Sequence, residues 1–116
     1  MDTAVQKGKI WEKFPNIDLD IEYVMGIIGP KWTLLIMTHL CRMGIMRFGE
    51  FIKAIPGINP KTLAQRLNEL EEHNLVSRKQ YETIPPKVEY SLTEKGKAMG
   101  TFCYAIGEWA KIYPKK

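Results

Sequence analysis

A five-residue stretch rich in proline and glycine, PGINP at residues 56–60, constrains the fold of this chain more than any other feature. Pro56 and Gly57 end a helical pattern, because proline cannot continue a helix and glycine is common just after one. Asn59 is suited to cap the helix that follows, with Pro60 at its first position. The stretch therefore predicts two helices joined by about four residues, which is a helix-turn-helix.

Apolar residues recur at helical spacing on both sides of this turn. The upstream helix is predicted from the spacing i, i+3, i+4 and i+7 of Phe48, Phe51, Ile52 and Ile55. The downstream helix, PKTLAQRLNELEEHN, has one apolar face made of Leu63, Leu67 and Leu70. Because a helix turns by about 100° per residue, the opposite face carries Lys61, Gln65 and Asn68, flanked by Thr62. That polar face is predicted to point into solvent.

Two strands joined by a stiff turn are predicted after the second helix. Apolar and polar residues alternate over residues 87–92, and residues 75–81 form the partner strand. The turn between them, ETIPP, contains Pro85 and Pro86, whose fixed φ angles favour a blunt projecting tip. A helix-turn-helix followed by a β-hairpin is a winged helix. A plain connecting hairpin remains the alternative at this point.

The first part of the chain is predicted to be helical. Asp20 is suited to cap a helix that runs to Ile28, and Pro30 is suited to open the next helix, KWTLLIMTHLCRM. That next helix is apolar almost all round, so it is predicted to lie at the centre of the core with Trp32. Residues 45–47, which follow it, have room only for a small strand or an extended connection.

The two ends of the chain carry apolar residues that one small domain cannot cover. Thr93 is suited to cap the last helix, residues 94–113. The residues of that helix predicted to meet a partner are Met99, Phe102, Cys103, Ile106, Ala110 and Tyr113. The N-terminal segment, residues 1–30, raises the same problem with Trp11 and Phe14. These two elements predict a symmetric homodimer, with packing inside one subunit as the alternative.

The composition fits one globular domain over residues 1–116 with a mild basic excess. The 17 Lys and Arg residues outnumber the 13 Asp and Glu residues, and residues 31–66 hold six basic residues and one acidic residue. This concentration favours a polyanionic partner. No apolar run approaches the roughly 20 residues of a membrane span, and the N-terminus lacks a secretory signal. A cytoplasmic protein without a membrane partner is predicted, with Cys41 and Cys103 reduced and packed as small apolar residues.

No constellation of residues indicates catalysis, a metal or a cofactor. His39 and Cys41 are two residues apart on one helix and point in different directions. His73 has no acid or cysteine partner at a metal-binding spacing, and the chain has no glycine-rich phosphate loop. A binding protein that is not an enzyme is therefore predicted.

Four runs of sequence resemble a known family of regulators. In chain order they are IEYVMGIIGPKWTLLI, MRFGEF, AIPGINPKTLAQRLNELEEHNLVSR and PPKVEYSLTEKG, and they cover about residues 19–110. Their order and spacing are similar to those of the HxlR-type winged-helix transcriptional regulators. The resemblance implies a mainly α (α+β) winged helix-turn-helix with a two-stranded wing and terminal dimerisation helices, working in the bacterial or archaeal cytoplasm.

Two positions depart from the family pattern. Many members carry a Cys-Pro pair just before the first helix, and in some of them this cysteine senses oxidants or electrophiles. The aligned residues here are Leu19 and Asp20, so that sensor is missing. The usual double glycine before Lys-Trp is Gly29-Pro30, which we expect to stiffen the start of the next helix. The sequence names no small-molecule effector.

The residues expected at DNA lie on the downstream helix, on the wing and before the first helices. The downstream helix has cations in its first half and acids in its second half, which suits insertion of its N-terminal end into the major groove. Gln65 can pair bidentately with adenine, and Lys61 or Arg66 can pair with guanine. Cations outside this helix are expected to hold phosphates. The predicted contact set is Lys31, Arg47, Asn59, Lys61, Thr62, Gln65, Arg66 and Lys87.

The predicted function is sequence-specific binding of double-stranded DNA by a homodimer at an inverted repeat. The alternative, from another class, is a winged helix that binds a protein and no DNA. Salt separates the two, because phosphate neutralisation makes DNA affinity fall steeply with ionic strength, whereas an apolar protein interface responds weakly.

Overall fold

The computed structural model describes residue 13 and residues 16–116, and these residues form a mostly helical structure with one small antiparallel sheet. The elements in chain order are α1 (Ile17–Ile28), α2 (Thr33–Met43), β1 (Ile45–Met46), α3 (Phe48–Ala54), α4 (Pro60–Glu72), β2 (Val76–Tyr81), β3 (Lys87–Leu92), α5 (Glu94–Ala98) and α6 (Gly100–Ile112). Helix α1 belongs to a compact unit that ends at Pro30, and the other elements belong to a second unit, Lys31–Lys116. The predicted mainly α winged helix is confirmed. Trp11 and Phe14 lie outside the described residues.

Helix α1 begins earlier than the sequence predicts. It starts at Ile17 with Asn16 at the N-cap position, so Asp20 lies inside the helix instead of capping it. Asp18 and Asp20 are both in the first turn, where a negative charge interacts favourably with the helix dipole. Ile27 and Ile28 are buried, whereas four large apolar side chains of α1 are exposed: Leu19, Ile21, Tyr23 and Met25.

Helix α2 begins later than predicted and is not buried on all sides. Trp32 has a left-handed backbone, with a φ of 83°, and α2 starts after it at Thr33, so Pro30 does not open the helix. One face of α2 forms the core and carries Thr33, Ile36, Met37 and Leu40. Leu35 is 49% exposed, which contradicts its predicted place in the core. Gly44, with a φ of 83°, ends the helix.

Helices α3 and α4 form the predicted helix-turn-helix. Asn59 caps α4 as expected, because its side-chain oxygen accepts a hydrogen bond of 2.8 Å from the Thr62 backbone N–H. Gly57 occupies the turn with a φ of 90°, a conformation that L-residues with side chains rarely adopt. The predicted apolar faces are buried, and their fully enclosed residues are Phe51, Leu63, Leu67 and Leu70.

The wing is confirmed, and a third strand extends its sheet. The strand order is β1-β3-β2, and both pairings are antiparallel. The hairpin pairs Val76 with Leu92 at its base and Tyr81 with Lys87 at its outer end. Tyr90 of β3 packs edge-on against Phe51 of α3, with ring centroids 6.1 Å apart. This contact anchors one face of the wing on the helix-turn-helix.

The last predicted helix is two helices, α5 and α6, which meet at Met99. Thr93 caps α5 as predicted, accepting from the Gly96 N–H at 3.0 Å and donating to the Asn74 carbonyl oxygen at 2.7 Å. The prediction of one continuous helix is therefore wrong. Gly96 and Gly100 explain the break, because each has a low helix propensity and the two flank the junction.

Gly96 is required where α5 crosses the sheet. A Cβ atom there would overlap the Leu75 carbonyl oxygen. We expect Gly96→Ala to lower the free energy of unfolding by about 2–3 kcal/mol, because backbone must move to admit the methyl group. Gly49→Ala is the matched control, since a Cβ atom on Gly49 meets nothing within 4 Å. Urea denaturation should show Gly49→Ala unchanged or slightly more stable, and equal midpoints for the two variants would contradict the contact.

No single helix among the described residues could span a membrane. The longest helices, α4 and α6, have 13 residues each, whereas a membrane span takes about 20. Only the successive helices α1 and α2, taken together, reach the required length and apolarity.

Candidate nucleic-acid interface

Helix α4 presents a polar face whose charge changes along its length. Lys61, Gln65 and Asn68 are exposed on this face, opposite the buried leucines. The cations of α4 lie in its first four turns' outer half, before the acids Glu69, Glu71 and Glu72. Gln65 Nε2 makes a long 3.5 Å contact with Glu69 Oε2, so its amide is only weakly held. The N-terminal half of α4 can therefore approach a polyanion with an amide and an ammonium exposed.

Arg66 is held inside the protein, unlike Lys61 and Gln65. Its Nε donates to the Lys31 carbonyl oxygen at 3.0 Å, and its Nη1 lies 3.1 Å from Glu69 Oε1. The side chain is only 17% exposed. These bonds occupy two sides of the guanidinium group. The arrangement ties α4 to the chain just before α2, which gives Arg66 a structural role.

The geometry of Arg66 leads to a test that separates stability from DNA contact. We expect Arg66→Ala to lower the free energy of unfolding by about 1–2 kcal/mol, because the Lys31 carbonyl and Glu69 lose a charged donor. The salt dependence of DNA binding should stay the same. Lys61→Ala is the control and should do the opposite, keeping the stability and reducing the salt slope by about 1. A reduced slope in Arg66→Ala would show that Arg66 contacts DNA.

Lys31 lies beside the helix-turn-helix through its neighbour and its backbone. The Trp32 ring would be 3.6 Å from a Cβ atom on Gly57, so the half-buried indole covers the turn between α3 and α4. The Lys31 Nζ is 4.8 Å from the centre of the Trp32 ring, a cation–π contact. With Arg66 bonded to its carbonyl, exposed Lys31 is kept close to α4.

Arg47 connects the sheet to the helix-turn-helix. It follows Met46, which pairs with Tyr90 in β3, and it occupies the N-cap position of α3. Its backbone N–H donates to Glu50 Oε1 at 2.7 Å, which fixes the start of α3. The Arg47 side chain is exposed. Its guanidinium group can therefore approach a phosphate from a rigid backbone position.

One face of the wing carries a cluster of two lysines, a tyrosine and a glutamate, which we call the wing cluster: Lys79, Tyr81, Lys87 and Glu89. Both ammonium groups lie over the Tyr81 ring, at 4.9 Å for Lys79 and 4.8 Å for Lys87. The Tyr81 hydroxyl donates to Glu89 Oε1 at 2.8 Å, and Lys87 Nζ is 3.4 Å from Glu89 Oε2. The Tyr81 hydrogen bond and the lysine charges lower the pKa of Glu89. The wing cluster therefore holds Lys87 in place and keeps a net positive charge.

The sequence prediction named Lys87 but missed Lys79. The available signal was the alternation of β-strand side chains, since Lys79 and Tyr81 are two residues apart and point to the same face. The antiparallel register pairs Tyr81 with Lys87 and Lys79 with Glu89, which completes the cluster. Predicting that register requires the turn geometry as well as the strand pattern.

The predicted apolar stripe of α6 divides into two sides. Small residues face α2: a Cβ atom on Gly100 would be 3.3 Å from Cys41 Sγ, and Cys103 and Gly107 line the same boundary. The exposed stripe has the spacing i, i+4, i+7 and i+11 and consists of Phe102, Ile106, Trp109 and Tyr113. Ala110 is also exposed, and Met99 and Cys103 are half-buried. Trp109, 63% exposed, was missed although its spacing fits the stripe.

The two cysteines are neighbours between α2 and α6. Both line an open pocket of about 300 Å³ together with Thr38, Arg42, Gly100 and Tyr104. Burial and the nearby Cys103 raise the pKa of the Cys41 thiol, which reduces its thiolate fraction near neutral pH. Cys41 is exposed by its surface area, so its predicted burial at the end of α2 is wrong. Within the described part of the chain, no three His, Cys, Asp or Glu residues are grouped to hold a metal ion.

Comparisons with known proteins point to one family. Residues 27–116 match the family described as HxlR-like helix-turn-helix. The chain is 40% identical over 110 residues to the HTH-type transcriptional regulator BH0655 of Halalkalibacterium halodurans, which covers 94% of each chain. It is similar to the redox regulator HypR in its oxidized form, with a TM-score of 0.78, 35% identity and coverage of 84% and 99%. A MarR-family transcriptional regulator from Enterococcus faecalis V583 gives a TM-score of 0.74, 33% identity and coverage of 83% and 86%.

Proposed function

Because this chain belongs to the HxlR-like helix-turn-helix family of winged-helix, DNA-binding transcription regulators, we propose that it binds an inverted repeat in double-stranded DNA as a homodimer. The observation that carries the proposal is the pairing of a polar α4 surface with an unburied apolar stripe on α6. The first surface supports recognition of DNA, and the second supports symmetric association. In this proposal the protein is a regulator and performs no reaction.

In the proposed complex, the N-terminal half of α4 lies in the major groove. Gln65 pairs with an adenine, and Lys61 contacts guanine or a nearby phosphate, because both side chains are exposed on the outward face. Asn59 and Thr62 sit at the start of α4, where backbone N–H groups suit a phosphate. We assign Arg66 to holding α4, since its donors already have acceptors within the chain.

Three exposed or half-exposed cations support contacts to the DNA backbone in each protomer: Lys31, Arg47 and Lys87. Each is fixed by a different local interaction, namely a cation–π contact, an N-cap position and the wing cluster. Phosphate contacts of this kind set the register of a protein on DNA without reading its sequence. Two protomers would supply six such contacts.

The homodimer is supported by the exposed stripe of α6. Phe102, Ile106, Trp109 and Tyr113 form one ridge, and the Trp109 and Tyr113 rings stack at 5.3 Å. Ridges of large apolar side chains on a small protein mark association surfaces. In a two-fold dimer the same ridge meets its own copy. The exposed apolar residues of α1 are a second candidate surface for this contact.

Hydroxyl-radical footprinting on a fragment that contains the promoter of the protein's own gene tests the proposal. Two α4 helices in successive major grooves should protect two backbone tracts related by a dyad, about 34–36 Å apart or a multiple of that distance. A single asymmetric tract would contradict the homodimer, and no protection on any genomic fragment would contradict DNA recognition.

A further inference from the structure

The wing ends in an apolar side chain that nothing in the described chain covers. Ile84 is 102% exposed, more than any other large apolar residue described. A single exposed apolar residue is ordinary in itself. This one is informative because of its position, at the outermost point of the hairpin between Tyr81 and Lys87. Resting on the proposed function, we propose that Ile84 inserts into the DNA minor groove and selects the base pairs that flank the site read by α4.

The tip is already ordered, so insertion costs little conformational entropy. The Thr83 N–H donates to the Tyr81 carbonyl oxygen at 3.0 Å, and the Thr83 hydroxyl donates to the Pro85 carbonyl oxygen at 2.8 Å. Pro85 and Pro86 fix the backbone on the other side of Ile84. A rigid tip keeps its side chain pointed outward before DNA is met.

The size of the tip matches the minor groove and does not match a larger site. The minor groove of B-DNA is about 6 Å wide and about 7.5 Å deep, which excludes a helix but admits one aliphatic side chain. Isoleucine belongs to the apolar residues that proteins insert into this groove. The tip presents a single such residue, with no apolar neighbour that would form a flat protein-binding patch.

Charge near the tip favours DNA over an apolar protein surface. Lys87 closes the hairpin three residues after Ile84, and Lys79 lies on the same face of the wing cluster. Three residues span at most about 11 Å, so the Lys87 ammonium can reach a phosphate on the edge of the groove that holds Ile84. Glu82 is the one acid in the turn, and it is exposed. Glu82 opposes phosphate contact, and its removal therefore gives a charge control.

An isoleucine in the minor groove would discriminate through the floor of the groove. A G·C pair places the guanine 2-amino group there, whereas A·T exposes only acceptors. Isoleucine offers no acceptor to that amino group, so burying it against Ile84 leaves a donor unpaired. The inference is a preference for flanking pairs without the amino group. Inosine·cytosine is the decisive probe, because it keeps the major-groove edge of G·C and lacks this group.

The test uses the full-length protein and three duplexes with one core sequence, selected by the wild type from a random pool. Only the flanking pairs under the wing differ: A·T, G·C or inosine·cytosine. The wild type should bind the A·T and inosine·cytosine duplexes equally and the G·C duplex about tenfold more weakly. Ile84→Ala should bind all three within about twofold, and Ile84→Val should keep the preference.

Two controls separate shape from charge and from general damage. Glu82→Gln should strengthen binding to all three duplexes by the same factor, because it acts on phosphates. Met43→Ala, which removes an exposed apolar residue from the end of α2, should behave like the wild type. Inosine·cytosine bound as weakly as G·C, or an unchanged preference in Ile84→Ala, overturns the inference while leaving recognition of the core intact. A wild type that does not prefer its selected core over random DNA overturns the proposed function itself.

Discussion

Ile106→Asp is expected to convert the homodimer into a monomer at micromolar concentration. Ile106 lies in the middle of the exposed α6 stripe, between Phe102 and Trp109. In a two-fold contact each copy would bury one unpaired carboxylate, which costs about 3–5 kcal/mol for each uncompensated charge. Sedimentation equilibrium measures the change, and far-UV circular dichroism checks that the variant is folded.

Tyr104→Asp is the matched control for the dimer prediction. Tyr104 is 71% exposed on the same helix, but it lies two residues before Ile106 and therefore about 200° around the helix axis. This variant should remain a dimer. A wild type that is monomeric at micromolar concentration, or a dimeric Ile106→Asp protein, would contradict the assignment of the stripe.

The monomeric variant also links association to DNA binding. Two α4 helices on one dimer bind two half-sites with a high effective concentration, which raises affinity by about 10²–10⁴ over a single contact. We therefore expect Ile106→Asp to lose operator affinity by about this factor. Its residual binding should show little preference for an inverted repeat over a single half-site.

Gln65→Ala and Lys87→Ala are expected to differ in kind. The Gln65 amide is exposed and only weakly held at 3.5 Å, so it is available to match a base edge bidentately. Its loss should cost about 1–3 kcal/mol on the best operator and relax the preference at one base pair in each half-site. Lys87 is a point charge in the wing cluster, so its loss should weaken all sequences similarly and reduce the salt slope by about 1 per contact.

Binding to operator and random duplexes at several salt concentrations separates the two variants. Asn68→Ala is a control for Gln65, since Asn68 is exposed on the same face but lies nearer the acidic half of α4. We expect Asn68→Ala to change specificity much less. Equal losses on both duplexes for Gln65→Ala, with a loss only on the operator for Lys87→Ala, would contradict the assigned roles.

Local signals in the sequence were sufficient for the helix-turn-helix and the wing. The Asn59 cap and the three leucines of α4 depend on neighbouring residues only, and the structure confirms both. The wing hairpin follows from alternation and from Pro85 and Pro86, which also act locally. Such features can be predicted because the residues that determine them are close in sequence.

Features that depend on distant backbone atoms could not be predicted. Arg66 bonds to the carbonyl of Lys31, 35 residues away, and a backbone acceptor has no residue type that identifies it. The break at Met99 accompanies the close approach of Gly96 to the Leu75 carbonyl, another contact between distant segments. The left-handed Trp32 likewise delays α2, and the turn it covers lies beyond α3. Trp109, by contrast, was within reach of the helical spacing already used.

The most direct test of sequence-specific DNA binding is a titration of the wild type against its own promoter fragment and a random duplex of equal length, at salt concentrations from 50 to 200 mM. Six phosphate contacts per dimer, from Lys31, Arg47 and Lys87 of each protomer, give a log–log slope of about −5 and an affinity loss of about 10³ over this range. The promoter should bind more tightly than the random duplex at every concentration. Equal affinity for the two duplexes, or binding that does not respond to salt, would contradict the account.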